Sequence, residues 1–193
     1  MRRAKDHRPA ILKAAAHLFG QKRFHEVLVE DVAASAGIAK GTIYRFYRTK
    51  DELLAAICLS VLDDLADELK QIAAQRASAS TRLRKMVACA LRQFRRRSDF
   101  FEVMQREWGR AGLDPKSPIR LRRARARRIY AGVVREGQAA GEFRAMDAGT
   151  AADILMGMNR TMLYFGDSRV SPEDTAQVVA DMFLHGISNH RKR

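Results

Sequence analysis

Apolar residues recur along this chain every three or four positions, a spacing that predicts helices from near one end to the other. A first helix is expected from about Arg8 to Gly20, with Ile11, Ala15, Leu18 and Phe19 on one face. Short helices follow over about Glu30 to Ala36 and Lys40 to Tyr47. A longer one starts at Thr49 or Lys50 and carries Leu53, Leu54, Ile57, Val61 and Leu65 past Asp64. Beyond it, apolar stripes predict helices over about Thr81 to Arg97, Asp99 to Ala111, Ile119 to Ala140, Asp147 to Phe165 and Pro172 to Ser188. No segment alternates apolar and polar residues as a half-buried strand would. The expectation is an all-α fold of about nine helices.

The breakers agree with this reading. All four prolines, Pro9, Pro115, Pro118 and Pro172, fall at expected helix boundaries. Gly37 sits where a left-handed residue would close the second helix. Residues 30–53, EDVAASAGIAKGTIYRFYRTKDEL, read as a short helix, a tight turn at Gly37-Ile38, a second short helix and the start of a third. That is the order of a helix-turn-helix, whose second helix enters the major groove of DNA. The segment Gln71 to Ser80 is poor in large apolar residues and marks a break. The domains expected are therefore residues 1–57, with the fourth helix continuing as a connector to about residue 70, and residues 71–193.

Charge sharpens the picture. The chain has 193 residues, 47% hydrophobic and 30% charged, with a formal net charge of +14. Such an excess favours a polyanionic partner, nucleic acid before a membrane surface. It is unevenly spread. Residues 1–60 hold 11 basic against 6 acidic side chains, residues 61–77 hold 2 against 4, residues 78–135 hold 17 against 4, and residues 136–193 hold 6 against 8. The largest excess thus lies outside the helix-turn-helix.

Cys58 and Cys89 sit inside apolar helical patterns without CxxC spacing, as small hydrophobes in a reducing compartment do. No apolar run approaches the roughly 18 residues of a membrane span, and no apolar stretch follows the basic N-terminus as in a signal peptide. A cytoplasmic protein with no membrane partner is expected.

Residues 9–57 resemble the DNA-binding domain of the TetR/AcrR family of bacterial transcriptional regulators. The resemblance rests on Ile11, Ala14, Ala15, Leu18 and Phe19, then Asp31-Val32-Ala33, Ala36-Gly37-Ile38, Gly41-Thr42-Ile43-Tyr44, and finally Tyr47, Lys50, Asp51 and Leu53. It implies that Lys40, Gly41, Thr42, Tyr44, Arg45, Tyr47, Arg48 and Lys50 form the DNA-binding surface. Each has a physical rationale. Gly41 lets backbone approach DNA without a Cβ in the way, and Lys40 and Thr42 reach base edges or phosphates. Tyr44 can place its hydroxyl on a phosphate, Arg45 and Arg48 add attraction indifferent to sequence, and Lys50 opens a helix whose dipole favours an anion.

The chain also departs from the family pattern. Val27 and Leu28 stand where Ser or Thr usually caps the second helix, which leaves Glu30 or His25 as the cap. Phe46 replaces a usual His or Tyr, and Tyr47 replaces a usual core Phe.

For residues 71–193 the resemblance implies a ligand-binding and dimerisation domain, and hence a repressor that binds a palindromic operator on double-stranded DNA as a homodimer and is released by a small-molecule effector. Met86, Phe94, Phe101, Met104, Trp108, Tyr130, Met158 and Met162, with Tyr164, supply the soft, bulky lining of adaptable pockets, although such residues at helical spacing equally form core. Ile154, Leu155, Val178, Val179, Met182, Phe183 and Ile187 of the last two helices are the expected dimer interface. The arginine run Arg120, Arg122, Arg123, Arg125, Arg127 and Arg128 admits three readings: a solvated helix face, a site for an anionic ligand such as an acyl-CoA, or extra DNA contact. No metal-ligating cluster, cofactor fingerprint or nucleophile motif supports an enzyme. The rival within DNA binding is an architectural protein with no sequence preference, for which the charge alone would suffice.

Overall fold

The computed structural model describes residues 6–19, 21, 26–95, 117–167 and 169–187. Every element among them is helical: α1 (Arg8–Phe19), α2 (Val29–Ser35), α3 (Lys40–Tyr44), α4 (Lys50–Ala73), α5 (Ala79–Arg95), α6 (Pro118–Ala139), α7 (Ala148–Phe165) and α8 (Pro172–Ile187). The helix expected over Asp99 to Ala111 lies outside the described residues, as do Phe101, Met104 and Trp108. Two compact units divide the chain, one containing residues 6–61 and 117–119, the other residues 62–95 and 120–187.

In the first unit α1 packs on α2 and α2 on α3. Ile11, Ala15 and Phe19 of α1, Val32 and Ala33 of α2, Ile43 of α3, and Leu53, Leu54 and Ile57 of α4 are buried. The turn between α2 and α3 is set by Gly37 at φ +65. There the Ile38 N–H donates to the Ala33 carbonyl at 3.0 Å and the Gly37 N–H to the Ala34 carbonyl at 3.1 Å, the two bonds of a Schellman cap. A side chain at position 37 would meet no atom within 4 Å, so the demand for glycine there is conformational alone.

One sequence expectation is corrected at the start of α2. Glu30 does not cap it. The Leu28 N–H donates to Asp31 Oδ2 at 3.4 Å, because a carboxylate in the first turn can fold back over the residue before the helix. Glu30 pairs instead with Lys40, and His25 lies outside the described residues.

The core of the second unit joins α5, α6, α7 and α8, with Leu65 and Leu69 of α4. Tyr130 is fully buried and its hydroxyl donates to the Met86 carbonyl at 3.2 Å. Gly137 permits a close approach. A Cβ there would lie 2.3 Å from the Phe143 ring and 2.8 Å from Ala79 Cβ.

Glu142 holds the start of α5 from far along the chain. Its carboxylate accepts the Ala79 N–H at 2.9 Å, the Ser80 N–H at 3.1 Å and the Ser80 hydroxyl at 2.8 Å. Partial burial raises the Glu142 pKa, but these hydrogen bonds together outweigh it and hold the carboxyl below its ordinary value of 4.5. Such a group contributes stability that is complete above 4.5 and is lost as pH falls through the lower folded value. Glu142→Gln should therefore destabilise the protein by about 1 kcal/mol at neutral pH, and the difference from wild type should shrink in acid denaturation series. Equal unfolding midpoints at pH 7 would remove the cap from the account.

Candidate nucleic-acid interface

α3 is only five residues long, Lys40–Tyr44, rather than reaching Tyr47 as its pattern predicts. The turn after it still closes on the helix, since the Phe46 and Tyr47 N–H groups both donate to the Ile43 carbonyl at 2.9 Å. Ile43 is 1% exposed and Tyr47 9% exposed, so these two side chains anchor α3 into the first unit. Tyr47 packs into the core of this unit, where burial raises its phenol pKa.

With Ile43 inward, the opposite side of α3 turns outward. Lys40, Gly41, Tyr44 and Arg45 are exposed, as is Arg48 in the following turn, and Thr42 is half-buried. Tyr44 keeps 43% of its surface free. A Cβ on Gly41 would meet nothing within 4 Å, so no packing inside the unit requires glycine there.

Lys40 bridges α2 and α3 by an ion pair with Glu30, and its ammonium lies 5.7 Å from the Tyr44 ring centroid. The hydrogen bond between the pair raises the Lys40 pKa and lowers that of Glu30. Phe46, half-buried, has the Arg45 guanidinium 5.6 Å from its ring centroid and that of Arg8 at 5.3 Å.

Lys50 opens α4 as expected, with its ammonium 5.9 Å from the Phe19 ring centroid and its pKa lowered by burial. The helix end beside it is already served from within. Thr49 Oγ1 accepts the Glu52 N–H at 3.0 Å, and Glu52 accepts the Arg48 N–H at 2.7 Å. With Asp51 and Glu52 in the first turn, the dipole there meets negative charge of its own.

The second unit sorts its expected site residues differently from their sequence grouping. Met86 and Tyr130 lie in the core, while Phe94, Met158 and Met162 pack partly buried against it. Of the expected interface, Leu155, Val179, Phe183 and Ile187 are buried within this chain, between 0% and 5% exposed. Ile154, Val178 and Met182 are 53%, 58% and 67% exposed. An open cleft of about 400 Å³ brings Met158 together with Ile154, Met182, Phe183 and Ile187, beside Arg144 and Asp147. Sequence reasoning passed over Asn159, which is 5% exposed and whose Oδ1 has no hydrogen-bond partner among the described residues. A polar residue inside a run of apolar ones is the signal that could have found it.

The arginine run resolves mostly into ion pairs. Arg122 bonds Asp63 at 2.8 Å, Arg125 bonds Asp67, and Arg123 and Arg127 reach Asp153 at 3.2 and 2.8 Å. Arg84 pairs with Asp181 in the same unit. These pairs are partly exposed and individually weak. Their effect on charge is larger than on stability. The acidic stretch of α4 and the acids of α7 and α8 lie against the basic segment and cancel part of it.

Two family models cover most of the chain. Residues 11–57 match that of bacterial regulatory proteins of the tetR family, and residues 76–187 match the tetracyclin repressor-like C-terminal domain. The HTH-type transcriptional repressor KstR2 of Mycolicibacterium smegmatis is 25% identical over 138 residues, which span 71% of this chain and 67% of that protein. A regulator from Saccharomonospora viridis, solved in complex with choline, superposes with TM-score 0.75 at 23% identity, over 95% of this chain and 98% of that one. The transcriptional regulator FadR of Bacillus subtilis, solved with stearoyl-CoA, gives 0.73 at 20% identity, over 93% and 98%. With both of its domains matched, this chain belongs to the tetR family of bacterial transcriptional regulators.

Proposed function

We propose that the protein is a repressor that binds a palindromic operator as a homodimer in the cytoplasm and leaves it when a small molecule binds the second unit. The observation that carries the DNA contact is the two-sidedness of α3: Ile43 and Tyr47 buried, and Lys40, Gly41, Tyr44 and Arg45 outward. A five-residue helix stabilises itself poorly, so it is held by its buried face and free to present the other. Thr42, Arg48 and Lys50 complete the contact set. A dimer places two such helices about 34 Å apart, one turn of DNA, so the operator has two half-sites.

Selection of bound duplexes from random sequence, followed by footprinting, tests this reading. The expected product is an inverted repeat protected as a unit. An architectural protein would yield no enriched sequence and a steep salt dependence on every duplex.

The effector is read as a bulky, mostly apolar molecule. Phe94, Met158 and Met162 offer adaptable contacts, and Asn159 Oδ1, without a partner among the described residues, can accept a hydrogen bond from a ligand donor. The acyl-CoA reading loses its main support, because Arg122, Arg123, Arg125 and Arg127 are already paired with carboxylates. The ligands of the two structural neighbours, stearoyl-CoA and choline, differ in charge, so the shared fold does not dictate an anion. The protein is a binding module here and not an enzyme. Release of operator DNA by neutral apolar compounds, measured against acyl-CoA species, is the test; release by the acyl-CoA species alone would restore the anionic reading.

A further inference from the structure

We propose that Arg8 and Arg45, held against the single ring of Phe46, form a clamp for the DNA backbone phosphates, with Phe46 as the positioning residue. The inference rests on the DNA-binding reading and adds Arg8 and Phe46 to it. Both guanidinium carbons lie close to the same ring, at 5.3 and 5.6 Å from its centroid, inside the roughly 6 Å range of cation–π attraction. Arg8 begins α1 and Arg45 follows α3, so the ring brings together two cations from elements far apart in sequence. The backbone of Phe46 is fixed by its bond to the Ile43 carbonyl, and Ile43 is buried.

Two positive charges gathered on one ring repel each other, and among the described residues neither guanidinium has a carboxylate within ion-pair distance. The nearby Asp6 carboxylate accepts the Arg8 backbone N–H at 3.1 Å and so serves the start of α1. This contrasts with α6, where arginine after arginine has an acidic partner. An exposed cation pair that is preorganised on an aromatic face, with no acidic partner among the described residues, has its complement in a phosphodiester, whose oxygens accept from guanidinium forks. The Phe46 side chain has no polar atom with which to touch a phosphate, and its backbone N–H is taken by the Ile43 carbonyl. Its contribution is to hold the arginines in place and reduce the ordering each would otherwise undergo on binding.

Affinity for the selected operator and for a random duplex, each measured across a salt series, tests the clamp. Arg8→Ala and Arg45→Ala are each expected to lower affinity about fivefold to tenfold at low salt, equally on both duplexes, and to reduce the salt slope by about one. Phe46→Leu removes no charge, yet should weaken binding about threefold on both duplexes. Phe46→Tyr, which keeps the ring, should bind at least as tightly as wild type. In a double-mutant cycle, Arg8→Ala should cost less in the Phe46→Leu background than alone. Should Arg8→Ala match wild type in affinity and slope, or Phe46→Leu bind as tightly as wild type, the clamp is overturned while operator recognition stands. Wild type that does not prefer operator over random DNA overturns the regulator reading instead, and the clamp is still read on the random duplex. Thermal unfolding of each variant accompanies the series; if Phe46→Leu loses its fold, the slopes of the two arginine variants decide.

Discussion

Gly41→Leu should leave the fold intact and weaken operator binding roughly tenfold to a hundredfold, about what disrupting one good base pairing costs. The expectation follows from the empty space around position 41. Nothing in the protein lies within 4 Å of a Cβ placed there, so a larger side chain meets no internal obstacle. Replacing glycine inside a helix also relieves its entropic cost by as much as about 1 kcal/mol, so the melting temperature should hold or rise. A stabilised protein with weakened DNA binding is the signature of a glycine kept for an external surface. Gly41→Ala grades the effect, its single methyl costing less than the leucine. A leucine variant that binds operator like wild type would show that α3 meets DNA with another side, or not at all.

A charge in the middle of the exposed face of α7 and α8 should do still more harm. Met182→Asp is expected to leave a monomer in sedimentation and to lower operator affinity about a hundredfold to ten-thousandfold, because each half-site must then be bound without the other. Met182 is 67% exposed, with Ile154 and Val178 more than half exposed alongside it on these two helices. Apolar side chains so exposed are ordinary when scattered singly, but a shared patch marks an interaction site. The neighbouring residues Val179 and Phe183 fill the chain's own core, so substituting them would unfold the protein instead of dissociating it. The control is Met182→Leu, which should dimerise normally. A monomeric Met182→Asp protein that keeps full operator affinity would detach recognition from dimerisation.

Much of the head is legible in the sequence because its determinants are local. Gly37 marks a turn needing positive φ, the apolar periods around it fit only short helices, and Ile43 has to point inward once Gly41 and Tyr44 face out. What stays hidden depends on partners remote in the chain. Phe46 reads as the absence of a polar group at a phosphate until the fold sets Arg8, from the start of another helix, beside its ring. Asp31 is no more conspicuous as a cap than Glu30, and only the fold turns Glu30 to Lys40. Glu142 gives no sign in its own surroundings that it caps a helix more than 60 residues earlier.

Periodicity, turn chemistry and the motif from Asp31 to Leu53 were enough by themselves to determine an all-helical chain with a DNA-reading head, since each acts over a few residues. Tertiary structure alone decided how the charge and the apolar surface are used. A count along the chain assigns the arginine-rich segment a large positive excess, but the fold lays Asp63, Asp67, Asp153 and Asp181 against it. Likewise the stripes of α7 and α8 read as one apolar set until packing buried Leu155 and Val179 and left Ile154, Val178 and Met182 outside. The reason is physical: periodicity identifies a helix face that avoids water, whereas the neighbour that covers it, or neutralises it, is chosen only when the whole chain comes together.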